Sequence, residues 1–520
     1  MKLVGLTTYP LSLKYNMEKI IIVDAIMGRG KSTAAFRHIN ENMGECKFLY
    51  IAPYLEEVDR ACSNCEFIQP GDDTTSKLGS LIGYMHKNKN VALTHELFKR
   101  FTSDVIVLVK EKGYHLILDE TFDTTEQLDV SIQDMEIMTT SNLLDISSVD
   151  GRVTWKFGEY SGGLFKEVYD MVTQRVTHYS SKKLFSRFNP NIFKAFESVR
   201  IITYLFKGSE FEGYLKSFGI EYEIVGVDND EKGVKFSDKP DAPPPMDIKS
   251  LITIVDNKWN RVGDDKFALS KSWYIKNCTS KSSRGAQALG RGLRAFFVHR
   301  KGEDPITAEE RMWCTFSDRI EYVSRASNSQ GRSRYLSDFV SLNIRATNKY
   351  SHCNRLAYLV NRFFNPNIKQ FYASLGYKIN DDQMALSEMI QWIWRSAIRN
   401  GEPITVYIPS SRMRNLLKRW LDKVSTGESL DDLYANDVEI EKYYEECTNE
   451  GAEAKEKAQD CAQNTQDNNS QPHHFFDLIE DAVDSIAGTS TYLGSESVRV
   501  RYQQEERAKK RAVLIKRNSL

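Results

Sequence analysis

The stretch KIIIVDAIMGRGKST at residues 19–33 decides the fold. Residues 19–25 form an apolar run of strand length, and a turn holding Gly28 and Gly30 follows. Residues 32–43 then read as a helix. A strand, a glycine turn and a helix N-terminus together let backbone amides cradle phosphate oxygens. Gly28 and Gly30 free the backbone to turn its N–H groups inward, with Met27 and Arg29 between and beside them. Lys31 is placed to reach the outer phosphates of a nucleotide, Ser32 to ligate Mg2+, and Thr33 closes the loop. The strict pattern has glycine where this chain has Ala25.

Outward from that loop the chain keeps an α/β rhythm. Residues 47–52 (KFLYIA) are a second apolar run, stopped by Pro53. Shorter runs follow at 91–94, 115–118 (HLIL) and 199–205 (VRIITYL). Continuous apolar strands alternating with helices predict a parallel sheet covered on both faces. The span 121–198 is long for one crossover and reads as a mixed, helical insertion. A second α/β pattern is expected after residue 206, with strands at 222–227, 251–255, 339–342 and 404–408. The run DAPPP at 241–245 reads as a rigid loop, and residues 275–335 are polar and hard to assign.

The chain has 520 residues, 41% hydrophobic, 27% charged and 11% aromatic, which fits two to four globular domains. No apolar stretch is long enough to span a bilayer, and no signal-peptide pattern opens the chain. Eight scattered cysteines give no disulfide framework, so an intracellular, reducing compartment is expected. Cys62 and Cys65 make a lone CxxC with no partner pair, which reads as structural. The net charge of −1 hides an asymmetry. Residues 421–486 hold 18 acidic against 4 basic side chains, and residues 487–520 hold 3 against 8, leaving +8 for residues 1–420. A basic body points toward a polyanionic partner. Residues 449–474 are low-complexity and almost without apolar side chains, the composition of a disordered linker. Residues 475–486 and those beyond 498 read as an amphipathic and a basic helix.

A second signal lies 88 positions after Lys31, where LILDE ends an apolar run in Asp119 and Glu120. Hydrolysis of a nucleoside triphosphate needs such a pair: Asp119 for the Mg2+ shell, Glu120 to orient and polarise water.

With these residues the chain resembles the superfamily 2 helicases of the DEAD/DEAH-like kind found in phages and prophages. Ile51-Ala52-Pro53-Tyr54 stands where that family has its first nucleic-acid-contacting loop, and Thr94-His95 resembles a later contact segment. Thr203-Tyr204 ends a strand as the family's coupling motif does, though farther from the acidic motif than is usual. Two segments compete for the arginine finger. Gln287-Ala-Leu-Gly290-Arg291-Gly-Leu-Arg294 fits the letters QxxGRxxR. Gln391-Trp-Ile-Trp394-Arg395-Ser-Ala-Ile-Arg399 departs from them but precedes a strand and a helix, the closing unit of the family's second domain, and is preferred. Asn343 and Arg345 fall in the preceding motif.

The resemblance implies two RecA-like parallel-sheet domains, residues 1–206 and 207–424, with an ATP cleft between them and a partly disordered C-terminal tail at 425–520. It implies ATP and Mg2+ as cofactors, with Gln391, Arg395 and Arg399 joining Lys31, Asp119 and Glu120 in catalysis. Pro53, Thr94, His95, Asn343 and Arg345 would contact nucleic acid, DNA rather than RNA and single-stranded by preference. A replication partner on the tail, no membrane, and the cytoplasm of a bacterial host complete the expectation. Two other readings stay open: a duplex-DNA translocase that does not unwind, and an ATP-switch binding protein.

Overall fold

The computed structural model describes residues 19–71, 76–241, 247–298, 306–328, 335–342, 349–428 and 430. The expected tail therefore lies almost wholly outside the described residues, as do Asn343 and Arg345. In chain order the first strands are β1 (Ile20–Asp24), β2 (Lys47–Ala52), β3 (Val91–Thr94) and β4 (Tyr114–Asp119). An inserted group follows: β5 (Thr125–Leu128), β6 (Leu144–Ile146), β7 (Arg152–Trp155), β8 (Val176–Ser180) and β9 (Lys183–Arg187). Then come β10 (Ser198–Thr203), β11 (Tyr222–Val225) and a hairpin of β12 (Val227–Asp230) and β13 (Gly233–Phe236). The last group is β14 (Ile252–Ile254), β15 (Arg311–Cys314), β16 (Arg355–Tyr358) and β17 (Ile404–Tyr407).

The first sheet is wholly parallel, in the order β11-β1-β10-β4-β2-β3. Its central strands are buried on both faces, which is why they read as unbroken apolar runs. The register places Asp24 opposite Thr203 and Ile202 opposite Asp119. The carboxyl ends of β1, β10 and β4 thus form one row, the edge where open α/β sheets hold ligands. The second sheet is also parallel, in the order β14-β17-β16-β15. The helices Arg284–Phe297, Asp381–Ile393 and Ser411–Thr426 contribute to its core, with Leu289, Met389 and Trp420 fully buried.

Several boundaries differ from the sequence reading. Tyr222–Val225 pairs with β1, so the first sheet runs well past residue 206. The helix Glu210–Ser217 carries the chain to that edge, and a four-residue strand says nothing by itself about which sheet it joins. Around 339–342 there is a single bridge, Trp313 to Phe339, rather than a strand. The polar region 275–335 contains the helix Arg284–Phe297 and β15.

The insertion is a compact unit of its own, Thr125–Arg187 together with Phe364–Ser374. It is built on an antiparallel sheet, β5-β9-β8-β7-β6, where the sequence reads as mixed and helical. Its strands are short and, apart from β9, only partly buried, so they lack the unbroken apolar runs of the main sheet. The returning helix Pro366–Ser374 seals it. Phe371 stacks on Phe185 at 4.6 Å, and the Arg187 guanidinium lies 5.5 Å from the Phe371 ring and 5.6 Å from the Tyr372 ring. Tyr372 also shares a 2.6 Å hydroxyl bond with Thr125.

Gly290 gives a direct check on the second sheet's packing. A Cβ there would lie 2.5 Å from the backbone carbon of Ala326, and backbone cannot swing aside. Gly290→Ala should cost about 1–3 kcal/mol by overpacking, read as a lower urea midpoint. Gly44→Ala, with no neighbour within 4 Å, is the control that should stay close to wild type.

Candidate nucleotide-binding site

The turn after β1 has the backbone that phosphate binding needs. Gly28 and Gly30 both take φ +82°, which their missing side chains permit. A side chain at Gly30 would also press on Val234 of the hairpin, 2.9 Å away. Gly30 caps the helix Lys31–Asn42, whose first amides face the same space. Lys31 is buried, and its ammonium donates to the carbonyls of Ala25 and, at 3.5 Å, of Ile26. Burial lowers its pKa, while the charges of Glu120, Asp24 and Asp119 oppose that shift. Arg29 is held by Asp241 at 3.4 Å, Met27 packs against the apolar core of the second sheet, and Thr33 is exposed.

Three carboxylates stand at the row of strand ends. Asp119 accepts from the Ser32 hydroxyl at 3.4 Å and from the Tyr50 hydroxyl, with the Arg60 guanidinium 3.9 Å away. Burial, then the charge of Glu120, pushes Asp119 up to about 6. Glu120 leaves the strand at φ +63°, an uncommon conformation for a non-glycine residue. Its N–H donates to the Ile202 carbonyl at 2.8 Å, and Thr203 donates to its Oε2 at 3.2 Å. Asp24, at the end of β1, accepts the N–H groups of Leu205 and Phe206, each at 2.9 Å. Burial raises its pKa against those bonds and the Lys31 charge.

A fourth carboxylate, Glu57, stands beside this edge, and the second sheet's half answers with the opposite charge. Glu57, on the helix Leu55–Asn64, is buried, and its Oε2 has no hydrogen-bond partner among the described residues. Burial and the charges of Asp119 and Glu120 push it up to about 8, while Arg395 and Arg60 pull the other way. Arg399 in turn feels burial, Arg60 and Glu57. Trp394 comes as near as 3.7 Å to the Cβ position of Gly28. The two arginines do not lie late on one helix as expected. The helix ends at Ile393, and a short 3-10 turn, Ala397–Asn400, closes on Gly401 at φ +76°. Both therefore project from a turn, Arg395 half-buried and Arg399 exposed. Gln391 bonds Ser387 on its own helix at 3.5 Å. Three bonds tie the segment after Thr203 to this half. Trp420 donates to the Tyr204 hydroxyl at 2.8 Å, Gln383 to the Leu205 carbonyl at 2.7 Å, and Asn380 to the Gly208 carbonyl at 2.8 Å.

A family model described as the YonV C-terminal Rossmann-like domain matches residues 246–421, the part that holds the second sheet and both arginines. The SPbeta prophage-derived protein YonV of Bacillus subtilis (strain 168) is 35% identical over 426 residues, covering 78% of this chain and 99% of that protein. The chain belongs to the YonV family. No helix among the described residues is long and apolar enough to cross a membrane.

In this YonV-family chain the residues expected to touch nucleic acid are partly redistributed. Pro53 and Thr94 stand at the ends of adjacent strands, β2 and β3, and both are half-buried. His95 is only 6% exposed; its ring contacts the Asp119 carbonyl oxygen at 2.9 Å and packs 5.4 Å from Phe122, which leaves little surface to offer a strand. The Gln287 segment, the candidate not preferred, is a packed helix. Gly290 and Gly292 seat a helix against Ala326 and Tyr407, and Arg291 and Arg294 point to solvent.

Asp24, Tyr50, Glu57 and Arg60 are site residues that sequence reading missed. Asp24 had one signal, a carboxylate ending the strand just before the loop. Glu57 in a helix's first turn reads as ordinary dipole compensation. The donor set of this YonV-family site fits Mg2+ with a nucleotide. One hydroxyl and one carboxylate are hard oxygen ligands, leaving positions for phosphate oxygens and water.

The raised pKa of Glu57 predicts a pH signature. Folded, it keeps its proton to about pH 8; its ordinary value is 4.5. Between those values the folded state binds the extra proton, so stability falls as pH rises through the window. Glu57→Gln keeps the shape without the charge. Its urea midpoint should gain steadily on wild type from about pH 5 to about pH 8.5; parallel curves would disprove the buried-carboxyl account.

Proposed function

We propose that this protein is an ATP-hydrolysing motor on nucleic acid, a helicase or translocase of the superfamily 2 type built on two RecA-like lobes. The observation that carries this is the division of one charged set between two sheets. Lys31, Ser32, Asp119 and Glu120 line the first sheet's edge, and Arg395 and Arg399 from the second half face Glu57 beside them. An ATP site completed from a second lobe changes when the lobes move, which is how hydrolysis drives stepping.

The amides of residues 28–32 and the Lys31 ammonium would hold the phosphates, and Ser32 and Asp119 the Mg2+. Bound, ATP would supply the phosphoryl group to be cleaved and Mg2+ would neutralise charge on its oxygens. Glu120, with Oε2 held by Thr203, would accept a proton from water. Arg395 or Arg399 stabilises the charge of the transition state. The segment from Thr203 to Gly208 links that event to the second half through Trp420, Gln383 and Asn380. The +8 charge of residues 1–420 suits a phosphodiester track, and single-stranded DNA is the substrate we propose. The prophage origin of YonV supports a setting of phage or mobile-element replication or recombination in the host cytoplasm.

The test is phosphate release with no nucleic acid, single-stranded DNA, duplex DNA and RNA. Wild type should be stimulated by single strands. Lys31→Ala and Glu120→Gln should abolish turnover, and Arg395→Ala should lower it by about a thousandfold or more if it is the finger. Stimulation by duplex alone would favour a translocase that does not unwind. Turnover indifferent to every nucleic acid would rule out the motor and leave an ATP switch.

A further inference from the structure

The helix Arg284–Phe297 has one face made for close seating and one face of uncompensated charge. On the inner face, a Cβ at Gly285 would lie 2.6 Å from the Asn277 carbonyl oxygen, and one at Gly292 would lie 2.4 Å from the Tyr407 hydroxyl. With Gly290 against Ala326, and with Leu289, Leu293 and Phe297 buried, these contacts fix the helix's rotation. That rotation turns Arg284, Arg291 and Arg294 to solvent. Their spacing of seven and ten residues places them on an arc of about 80°, at about 10 and 15 Å along the axis.

None of the three forms an ion pair among the described residues, whereas Arg311, Arg362 and Arg412 in the same half are each held by a carboxylate. Arg291 spends only its Nε, on the Gln287 carbonyl at 3.1 Å. Between the arginines the face carries Gln287 and Ala288 and no large apolar side chain. A protein interface would want an apolar centre there. A row of unspent guanidiniums suits a polyanion whose charges repeat along a line.

We propose that this stripe docks the phosphodiester backbone of single-stranded nucleic acid, with Arg284, Arg291 and Arg294 each taking a phosphate. This rests on the reading of the protein as a nucleic-acid motor, and it assigns a track on the second-sheet half to residues that the ATP site does not use.

The experiment is fluorescence anisotropy of a labelled 20-nucleotide oligothymidylate with the full-length protein across a salt series. The triple variant Arg284→Gln/Arg291→Gln/Arg294→Gln is measured beside wild type and beside the corresponding triple arginine-to-lysine variant, with thermal unfolding as the check of fold. Each phosphate contact on a single strand contributes about 0.7 to the slope of log affinity against log salt. The glutamine variant should therefore lose about 2 from the slope and, if the lines meet at about 1 M, bind about 100-fold more weakly at about 0.1 M salt. The lysine variant should keep the slope. Wild-type binding with an unchanged slope in the glutamine variant overturns the stripe while leaving the motor reading standing. A stripe that captures polyglutamate but ignores the oligonucleotide overturns it in favour of an acidic protein segment. A wild type that binds no nucleic acid removes the motor reading and the stripe with it.

Discussion

The Asp24 carboxylate is the contact on which the rest of the site depends. It ends β1, one residue before the phosphate loop begins, and both its oxygens are taken by the N–H groups of Leu205 and Phe206. Leu205 sits at φ +59°, where a branched side chain is rarely found. Such a backbone persists only where its surroundings over-determine it. The bonds to Asp24 do this on one side, and the Gln383 bond to the Leu205 carbonyl does it on the other. The turn after β10 is thereby locked beside the loop after β1. Thr203 can then reach Glu120, and Tyr204 can meet Trp420.

Charge balance around that lock is tight. Asp24, Glu57, Asp119 and Glu120 crowd one edge, and Lys31, Arg60, Arg395 and Arg399 answer them. Desolvation is the largest cause of the shifts at Asp24, Glu57 and Asp119, so each is a group whose charge the protein dislikes in this state. An edge strained in this way gains from an arriving cation or from a rearrangement of its arginines. Structural ion pairs, such as Arg412 with Asp382, show the opposite habit of full mutual satisfaction.

What could be read from the sequence depended on how local the cause was. Lys31 and Ser32 share one turn with Gly28 and Gly30, so chain order alone placed them. Asp119 lies far along the chain, yet an apolar run ending in acid marks a strand end wherever it occurs. The preference for Arg395 over Arg291 rested on the strand after it, but β15 follows the helix Arg284–Phe297 as well, and that helix's glycines are packing surface. Tertiary partners hid the remainder. Nothing in TEQL or LDI announces an antiparallel sheet, and four residues at 222–225 do not name the strand they pair with. His95 reads as a contact because Thr94-His95 resembles a family contact segment, but its burial depends on Phe122 and the Asp119 carbonyl.

The insertion leaves the main sheet at Thr124 and returns at Phe188, and these two residues share a backbone hydrogen bond of 2.8 Å. Thr124 is further clamped by Glu210, through its N–H at 3.0 Å and its hydroxyl at 2.6 Å. To the sheet, the whole excursion is a loop whose ends are already joined. Lengthening such a loop costs little, since closure entropy grows only with the logarithm of its length. A change in the length of the stretch between those two residues therefore leaves Glu120, four positions upstream of Thr124, where it is.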